Sequence, residues 1–450
     1  MAILQIIGVL LQFGETKLVK RIADLLARTA DTAEQFVIVT QMYLALGENV
    51  LAIEFGEKAI EKGSDDIKLN LPQRLYPTYK AEFNFTKAVS IIESMVQMNP
   101  DNLALKIEKA LCYYETNRKE EAHDILKTID EKNLDDFAKL KFRAALGPHQ
   151  LRNGQFQTGL RNVILSQDAV RKAEFNHQYH GGSELPLPMW MGTPDCKKLI
   201  IYLEAGLGDE IINVRFLRNL KSLGITAKLY NVWYEEPRKN NRQGMIEFYE
   251  KNGFEFIHKF NPDEYQDYQW TYSQFLPILL NVSEKELWTG PYLKAKTKKL
   301  KGKNKIGLRW SGNPVPKYRN FPLKEVYNSL KDLDVTFYSI QKHVCMDELA
   351  EFPEIVDLSG KMPSLADMAD YINSFDLLIS CATVSCTLAG ALDKECIVLN
   401  PCNDYYIFNT KTEHTPWFSD KMTLLRQNQP KNWSDVMPDL RKLVEKKLNL

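Results

Sequence analysis

The chain has 450 residues, enough for two or three domains and more than one sizeable core. Its 58 basic and 58 acidic residues cancel, so net charge gives no argument for a nucleic-acid partner. Seven cysteines, at positions 112, 196, 345, 381, 386, 396 and 402, form an odd set with no CxxC pair; reduced, mostly buried thiols in a cytoplasmic protein fit them better than a disulfide framework or a zinc site.

The opening stretch MAILQIIGVLLQFGETK is apolar, but it lacks a basic n-region and a small-residue cleavage site. It runs on into the amphipathic VKRIADLLA, so it reads as a first helix and not as a signal peptide. No run approaches 18 apolar residues, so no transmembrane segment is expected. Residues 1–175 carry the i, i+3, i+4, i+7 period of helices throughout. Within them a turn followed by a small residue recurs: ALGENVLA ends at Ala52, EFNFTKA at Ala88, ETNRKEEA at Ala122 and RNGQFQTG at Gly159. The intervals of 36, 34 and 37 residues lie close to the 34 of a tetratricopeptide helix pair. Tyr43, Leu46 and Ala59 match that pattern loosely, and an irregular helical bundle is the alternative. Such repeats bind partner proteins or self-associate and carry no chemistry.

From about residue 187 the text changes. Prolines cluster in LPLPMWMGTP, and strands then alternate with helices. The first block, 187–296, has strands KKLIIYLE, AKLYNVW and FEFIHKF around helices over 209–224 and in RQGMIEFYEKNG. The basic run KAKTKKLKGKNK, 294–305, has no interleaved aromatics and reads as a solvated linker rather than a polyanion site. The second block, 297–450, has strands NKIGLRW, VTFYSIQ, DLLISC and CIVLN, with helices LKEVYNSLKDL, SLADMADYINSF, VSCTLAGAL and a last one from Trp433. Two parallel-sheet domains facing a cleft follow, with ligands expected at the carboxyl ends of strands.

Four loops fall at such ends. In EAGLGDEIIN, Gly206 and Gly208 permit positive φ and close backbone approach, and Asp209 opens the helix. The reading is either a tight turn capped by Asp209 or a carboxylate placed for proton abstraction; a carboxylate at a helix start would repel phosphate. GLRWSGNPVPKYRNFPL carries a Ser-Gly-Asn-Pro turn through Asn313 with Lys317 and Arg319 behind it, a set suited to a diphosphate or else an ordinary solvated loop. Lys342, past the strand in YSIQKHV, adds a cation to the same cleft or is a surface lysine. In SCATVSCTLAGAL, the free amides of Thr383, Val384 and Ser385 at a helix start make an anion site, while Ala389, Gly390 and Ala391 equally suit plain helix–sheet packing. The one Asp-x-Asp, Asp332-Leu-Asp334, precedes a strand and reads as a turn instead of a metal site.

Together, EAGLGDEIINVRFLRNLKSLG, GLRWSGNP…RNFPL, FYSIQK, DLSG, LADMADYINSFDLLIS, TLAGAL and TPWF…LLRQ resemble the bacterial tetratricopeptide-repeat glycosyltransferases, whose catalytic part is similar to the ADP-heptose:lipopolysaccharide heptosyltransferases. The likeness covers about 150–445 in order. It implies a GT-B fold after the repeats, with an acceptor domain over 187–296 and a nucleotide-sugar domain over 297–450. It also implies inverting transfer from a nucleotide-diphosphate sugar to a protein or glycan hydroxyl, with no cofactor and no metal. Asp209 would then be the general base, with Gly206 and Gly208 on the acceptor side. Asn313, Arg319, Lys342 and the 383–385 helix start would hold the leaving diphosphate. The chain departs from the family where an aspartate is usual (Ala382), where a histidine is usual (Thr387) and where a glutamine is usual (Ala205). His414 lies elsewhere, as a packing residue or near the donor base. Two competing functions are a catalytically silent scaffold or nucleotide-sugar sensor, and an epimerase.

Overall fold

A computed structural model describes residues 2–166, 185–204, 206–235, 242, 244–312, 319–342, 345–403 and 405–450. The chain divides into two compact units, Met1–Asn133 and Leu134–Leu450. The first is helical: α1 (Ala2–Gln12), α2 (Thr16–Thr29), α3 (Ala33–Ala45), α4 (Asn49–Lys62), α5 (Asp65–Ala81), α6 (Phe85–Met98), α7 (Leu103–Glu115) and α8 (Lys119–Lys127). No helix of the described residues is long and apolar enough to cross a membrane.

The repeat has a backbone cause. Gly47, Phe83, Asn117 and Gly154 all adopt positive φ, five residues before Ala52, Ala88, Ala122 and Gly159. At each, the positive-φ amide bonds the carbonyl three residues back, and the next amide bonds the carbonyl five back from itself: Phe83 to Lys80 and Asn84 to Tyr79, for example, at 3.0 and 2.8 Å. This pair of bonds ends a helix and reverses the chain. Gly14 repeats it, bonding Leu11 while Glu15 bonds Leu10, with buried Val19 in the small-residue position; the turn period therefore begins one hairpin earlier than the small residues indicate. Ala52, Ala88 and Ala122 are fully buried, so the second helix of each pair lies tight on the first.

The second unit opens with another hairpin, α9 (Asp136–Arg152) and α10 (Phe156–Arg161), which packs into the sheet core through Leu160, Val163 and Ile164. Residues 167–175 of the expected helical stretch lie outside the described residues. The first sheet has β1 (Lys198–Tyr202), β2 (Thr226–Tyr230), β3 (Glu255–Phe256) and β4 (Gln269–Tyr272), all parallel, in the order β3-β2-β1-β4. Its longer helices are α11 (Leu207–Asn213), α12 (Leu217–Ser222) and α13 (Met245–Lys251).

The second sheet has β5 (Lys305–Arg309), β6 (Thr336–Ser339), β7 (Val356–Asp357), β8 (Leu377–Cys381), β9 (Cys396–Asn400) and β10 (Met422–Arg426), also parallel, in the order β10-β9-β8-β5-β6-β7. Around it pack α14 (Leu323–Leu330), α15 (Leu365–Ile372), α16 (Val384–Ala391) and α17 (Met437–Leu448). A helical-repeat region followed by two parallel-sheet domains is the arrangement expected from the sequence.

One detail corrects the sequence reading and two fill it in. The helix expected over 209–224 begins at Leu207 and is broken into α11 and α12 by a 3-10 turn at Val214–Phe216, centred on the buried Arg215. The basic run 294–305 is no free linker. The Lys296 and Lys298 amides bond Asp370 and Ser374, Asn373 holds the Ala295 carbonyl, and the Lys298 ammonium pairs with Asp370 at 3.2 Å, which fastens the run along α15. The Asp332 turn is a structural one, its carboxylate gripped twice by Arg441 at 2.7 and 2.9 Å. All seven cysteines are free, and all but Cys345 are buried.

If close helix approach sets the repeat, Ala88→Leu should destabilise the protein by about 1–3 kcal/mol. Val50→Leu, at a position 66% exposed, should stay within about 0.5 kcal/mol. Urea unfolding followed by circular dichroism measures both, and equal effects would remove the argument.

Candidate functional site

In each sheet the strand order reverses at one place, and the crevice there is where a parallel sheet can receive a ligand. In the first sheet it lies between β1 and β4. Glu204, just past β1 and 1% exposed, spans it by accepting the Ser273 amide and hydroxyl (both 2.9 Å) and the Gln274 amide (3.0 Å) behind β4. Its carboxylate is spent on structure, a role the sequence reading did not assign.

α11 begins directly after Gly206, which is its N-cap with φ −68° and ψ 157°. Asp209 is the third helical residue; its amide bonds the Gly206 carbonyl at 2.9 Å and its side chain caps nothing. The expected Asp209 cap is therefore replaced by a backbone cap at Gly206, and neither glycine needs positive φ. Gly208 lies against the start of α16: a Cβ there would stand at ordinary contact distance, 3.5 Å from the Thr387 hydroxyl and 3.7 Å from Val384 Cα. The half-buried Asp209 carboxylate accepts the hydroxyl of Tyr405, an exposed residue of the loop after β9. The next residue, Glu210, is fully buried and pairs with Arg242 at 2.8 Å and with the Tyr234 hydroxyl. Burial pushes the Glu210 carboxyl up, against the pull of the Arg242 guanidinium.

In the second sheet the reversal lies between β5 and β8. The loop after β5 is held from several sides. The Phe321 amide returns to the Trp310 carbonyl (3.1 Å), and the Gly312 amide bonds the Asn320 side chain (3.1 Å). The Gln341 amide group bonds both the amide and the carbonyl of Ser311, at 3.0 and 3.2 Å. This places Arg319 beside β8, its Nη1 3.5 Å from the Ala382 carbonyl. A Cβ on Gly312 would meet Thr383 Cγ2 at 2.7 Å and Arg319 Nε at 2.8 Å, so only glycine lets the three converge.

At the start of α16, Thr383 is the N-cap without a side-chain cap bond. The Ser385 hydroxyl bonds those of Ser380 (2.7 Å) and Thr383 (2.8 Å). Among the described residues no acceptor takes the amides of Thr383, Val384 or Ser385. Thr387, where an imidazole is usual, gives its hydroxyl to the Val384 carbonyl at 3.0 Å.

Gly208, Asp209, Arg319, Thr383, Val384 and Ser385 thus come together where the two sheets present their strand ends. Lys342, past β6, donates to the Met362 carbonyl at 2.7 Å and is engaged there. Asn313 lies outside the described residues. His414 lines a separate cavity of about 550 Å³ with Arg152, Glu284, Trp288 and Phe418, among others. Two residues at the site went unread in the sequence, Tyr405 and Arg309. Nothing in DYYIF marks Tyr405. Arg309 had a signal: a charge on a strand whose neighbours are apolar and buried on both faces.

Residues 79–146 match the tetratricopeptide repeat family. No curated protein matches the chain by sequence. Among solved structures, it is similar to the E. coli heptosyltransferase WaaC with ADP, at 11% identity and TM-score 0.38 over 56% of this chain and 99% of that one. It is also similar to TibC of enterotoxigenic E. coli, a dodecameric iron-containing glycosyltransferase, at 15% identity and TM-score 0.37 over 60% and 78%. A Thermobaculum terrenum O-GlcNAc transferase aligns at 11% identity and TM-score 0.30 over 93% of each chain.

The two glycines make opposite predictions. Gly312→Ala should cost about 1–3 kcal/mol, because Thr383 or Arg319 must move. Gly208→Ala meets only ordinary contacts inside a helix and should be neutral or slightly stabilising. Thermal unfolding of the two variants checks the pair, and a harmless Gly312→Ala would mean that the convergence has slack.

Proposed function

We propose that this protein is an inverting, metal-independent glycosyltransferase that moves a sugar from a nucleotide-diphosphate donor to an acceptor hydroxyl. The observation that carries the proposal is the meeting of a carboxylate from one sheet with an anion-binding face from the other. Asp209 approaches from the first; the free α16 amides and Arg319 approach from the second. Asp209 takes the acceptor proton as the oxygen attacks the anomeric carbon. The cationic face stabilises the charge that develops on the departing diphosphate. The Tyr405 hydroxyl already donates to Asp209 in the way an acceptor hydroxyl must before it loses its proton. The helical repeats, which carry no such chemistry, bind a protein partner or a second copy, and the protein works in the cytoplasm.

The scaffold or sensor reading has support of its own. Tyr405 occupies the Asp209 carboxylate, and Thr387 and Ala382 supply neither an imidazole nor a second carboxylate beside the donor sugar. Turnover separates the two readings.

Asp209→Asn keeps shape and hydrogen bonding, so it should fold and bind donor unchanged while turnover falls by about 10²–10⁴. The test is single-turnover transfer with a radiolabelled donor. A variant keeping more than about a third of wild-type turnover would remove Asp209 as the base, and wild-type protein that binds donor but transfers to no acceptor would establish the sensor. Separately, Arg319→Ala should weaken nucleoside diphosphate binding roughly 10- to 150-fold and barely change nucleoside binding. Calorimetry reads both ligands, and equal weakening would put the phosphates elsewhere.

A further inference from the structure

A second guanidinium lies in the same crevice. Along β5, Leu308 and Trp310 point into the core beneath α14 and α17, while Gly307 faces the other way and is covered by the Phe375 ring. Arg309 shares the Gly307 face and so comes out at the carboxyl end of β5, one of the two strands that border the reversal. Its Nη1 donates to the Ile340 carbonyl at 2.9 Å. Its Nε is buried without a partner, and so is the Nε of Arg319. Among the described residues neither guanidinium meets a carboxylate. Burial disfavours the charged Arg309 guanidinium; the Cys381 thiol opposes this, and the nearby Arg319 charge adds to it. Cys381 also stands close by, a thiol that burial pushes up and holds neutral.

Two guanidinium groups near the same strand ends, each with a buried nitrogen left unbonded and no carboxylate against it, raise the free energy of the empty protein. A surface ion pair with a carboxylate would relieve this, and none is supplied. The relief has to come from outside, and it must bring at least two negative charges together with acceptors for the unused donors. We propose that Arg309 is a ligand-binding residue that acts with Arg319 as a two-cation clamp, and that the clamp makes the crevice selective for a dianionic pyrophosphate group over a single phosphate. The inference rests on reading this crevice as the diphosphate site. It adds the residue that sets how many phosphates are required. A guanidinium is suited to that role because its planar fork meets two oxygens at once and stays charged when buried.

The test uses full-length protein with inorganic pyrophosphate and inorganic phosphate as probes, which avoids any need to know the base or sugar. Wild-type protein should gain thermal stability with pyrophosphate and much less with phosphate. In Arg309→Met, the ligand-free protein should melt at or above the wild-type temperature, because an uncompensated charge has been replaced by apolar volume. Its pyrophosphate affinity should fall roughly 10- to 150-fold, to near its affinity for phosphate. Arg309→Lys keeps the charge and loses the fork, so its affinity should lie between the two. A variant that melts lower yet binds pyrophosphate like wild type would make Arg309 a structural residue and overturn the proposal. If Arg309→Met is too unstable to measure, unchanged pyrophosphate affinity in Arg309→Lys overturns it equally. Wild-type protein that binds nucleoside diphosphates but does not prefer pyrophosphate to phosphate would sink the clamp alone. Wild-type protein that binds neither would sink the reading of the crevice as well.

Discussion

The geometry of the candidate site depends on one buried cation, Arg215. Its guanidinium, 2% exposed, donates to the carbonyls of Ile212 (2.7 Å), Leu287 (3.0 Å) and Trp417, and to the Tyr292 hydroxyl (2.9 Å). The rings of Tyr292 and Phe418 stand 4.7 and 4.9 Å away. Among the described residues no carboxylate meets it, so the charge is balanced by carbonyl and hydroxyl dipoles and by π faces. Those carbonyls belong to the last turn of α11, to the segment leading out of the first sheet domain, and to the loop between β9 and β10. A single planar group with five donors therefore fixes three segments of the cleft at once. The same loop between β9 and β10 carries Tyr405, and α11 carries Asp209, so Arg215 sets the spacing of the pair from behind. Lysine in its place would offer three donors on a flexible stem and no fork, and could not hold the three carbonyls in one plane.

Much of the fold was legible because its signals are local. The turns at Gly47, Phe83, Asn117 and Gly154 repeat as the small residues repeat, since both answer the same need: reverse the chain, then let the next helix lie close. The central strands were legible because strands buried on both faces read as unbroken apolar runs. The strands that went unread lack that mark. Val356–Asp357 is an exposed two-residue edge, and Gln269–Tyr272 has only four residues and is rich in aromatics. Met422–Arg426 reads as a motif, LLRQ, before it reads as a strand.

The site was legible in its loops and not in its partners. Spacing picked out GLGD, the Arg319 loop and the α16 start, because small residues and charges at strand ends are visible in one dimension. It could not show that Gly208 lies against Val384 across the cleft, or that Glu204 is consumed by the far side of its own sheet. Arg215 and Arg309 offered a weaker signal, charges embedded in text that is otherwise apolar. A charge there is either paired, coordinated by backbone or waiting for a ligand, and only coordinates tell these cases apart. Arg215 is coordinated by backbone. Arg309 is so only in part.

That difference bears on how the site departs from its resemblance. A carboxylate before the α16 threonine would sit next to the Ala382 carbonyl that Arg319 reaches, and would neutralise that guanidinium in the empty protein. With alanine there, Arg319 and Arg309 face the crevice together, and the helix start adds its own partial positive charge. Alanine here gives up, on the proposed function, a carboxylate beside the donor sugar and leaves a stronger positive field on the anion. On the proposed function, binding would depend more on phosphate and less on the sugar's hydroxyls, and discrimination between donor sugars would weaken accordingly. The Glu210–Arg242 pair does not offset the field, because its charges cancel each other inside the first domain. On the proposed function, Asp209 is the carboxylate of α11 that faces that field across the cleft. A base there gains from the same cations that hold the leaving group, because both stabilise charge separation along one reaction coordinate.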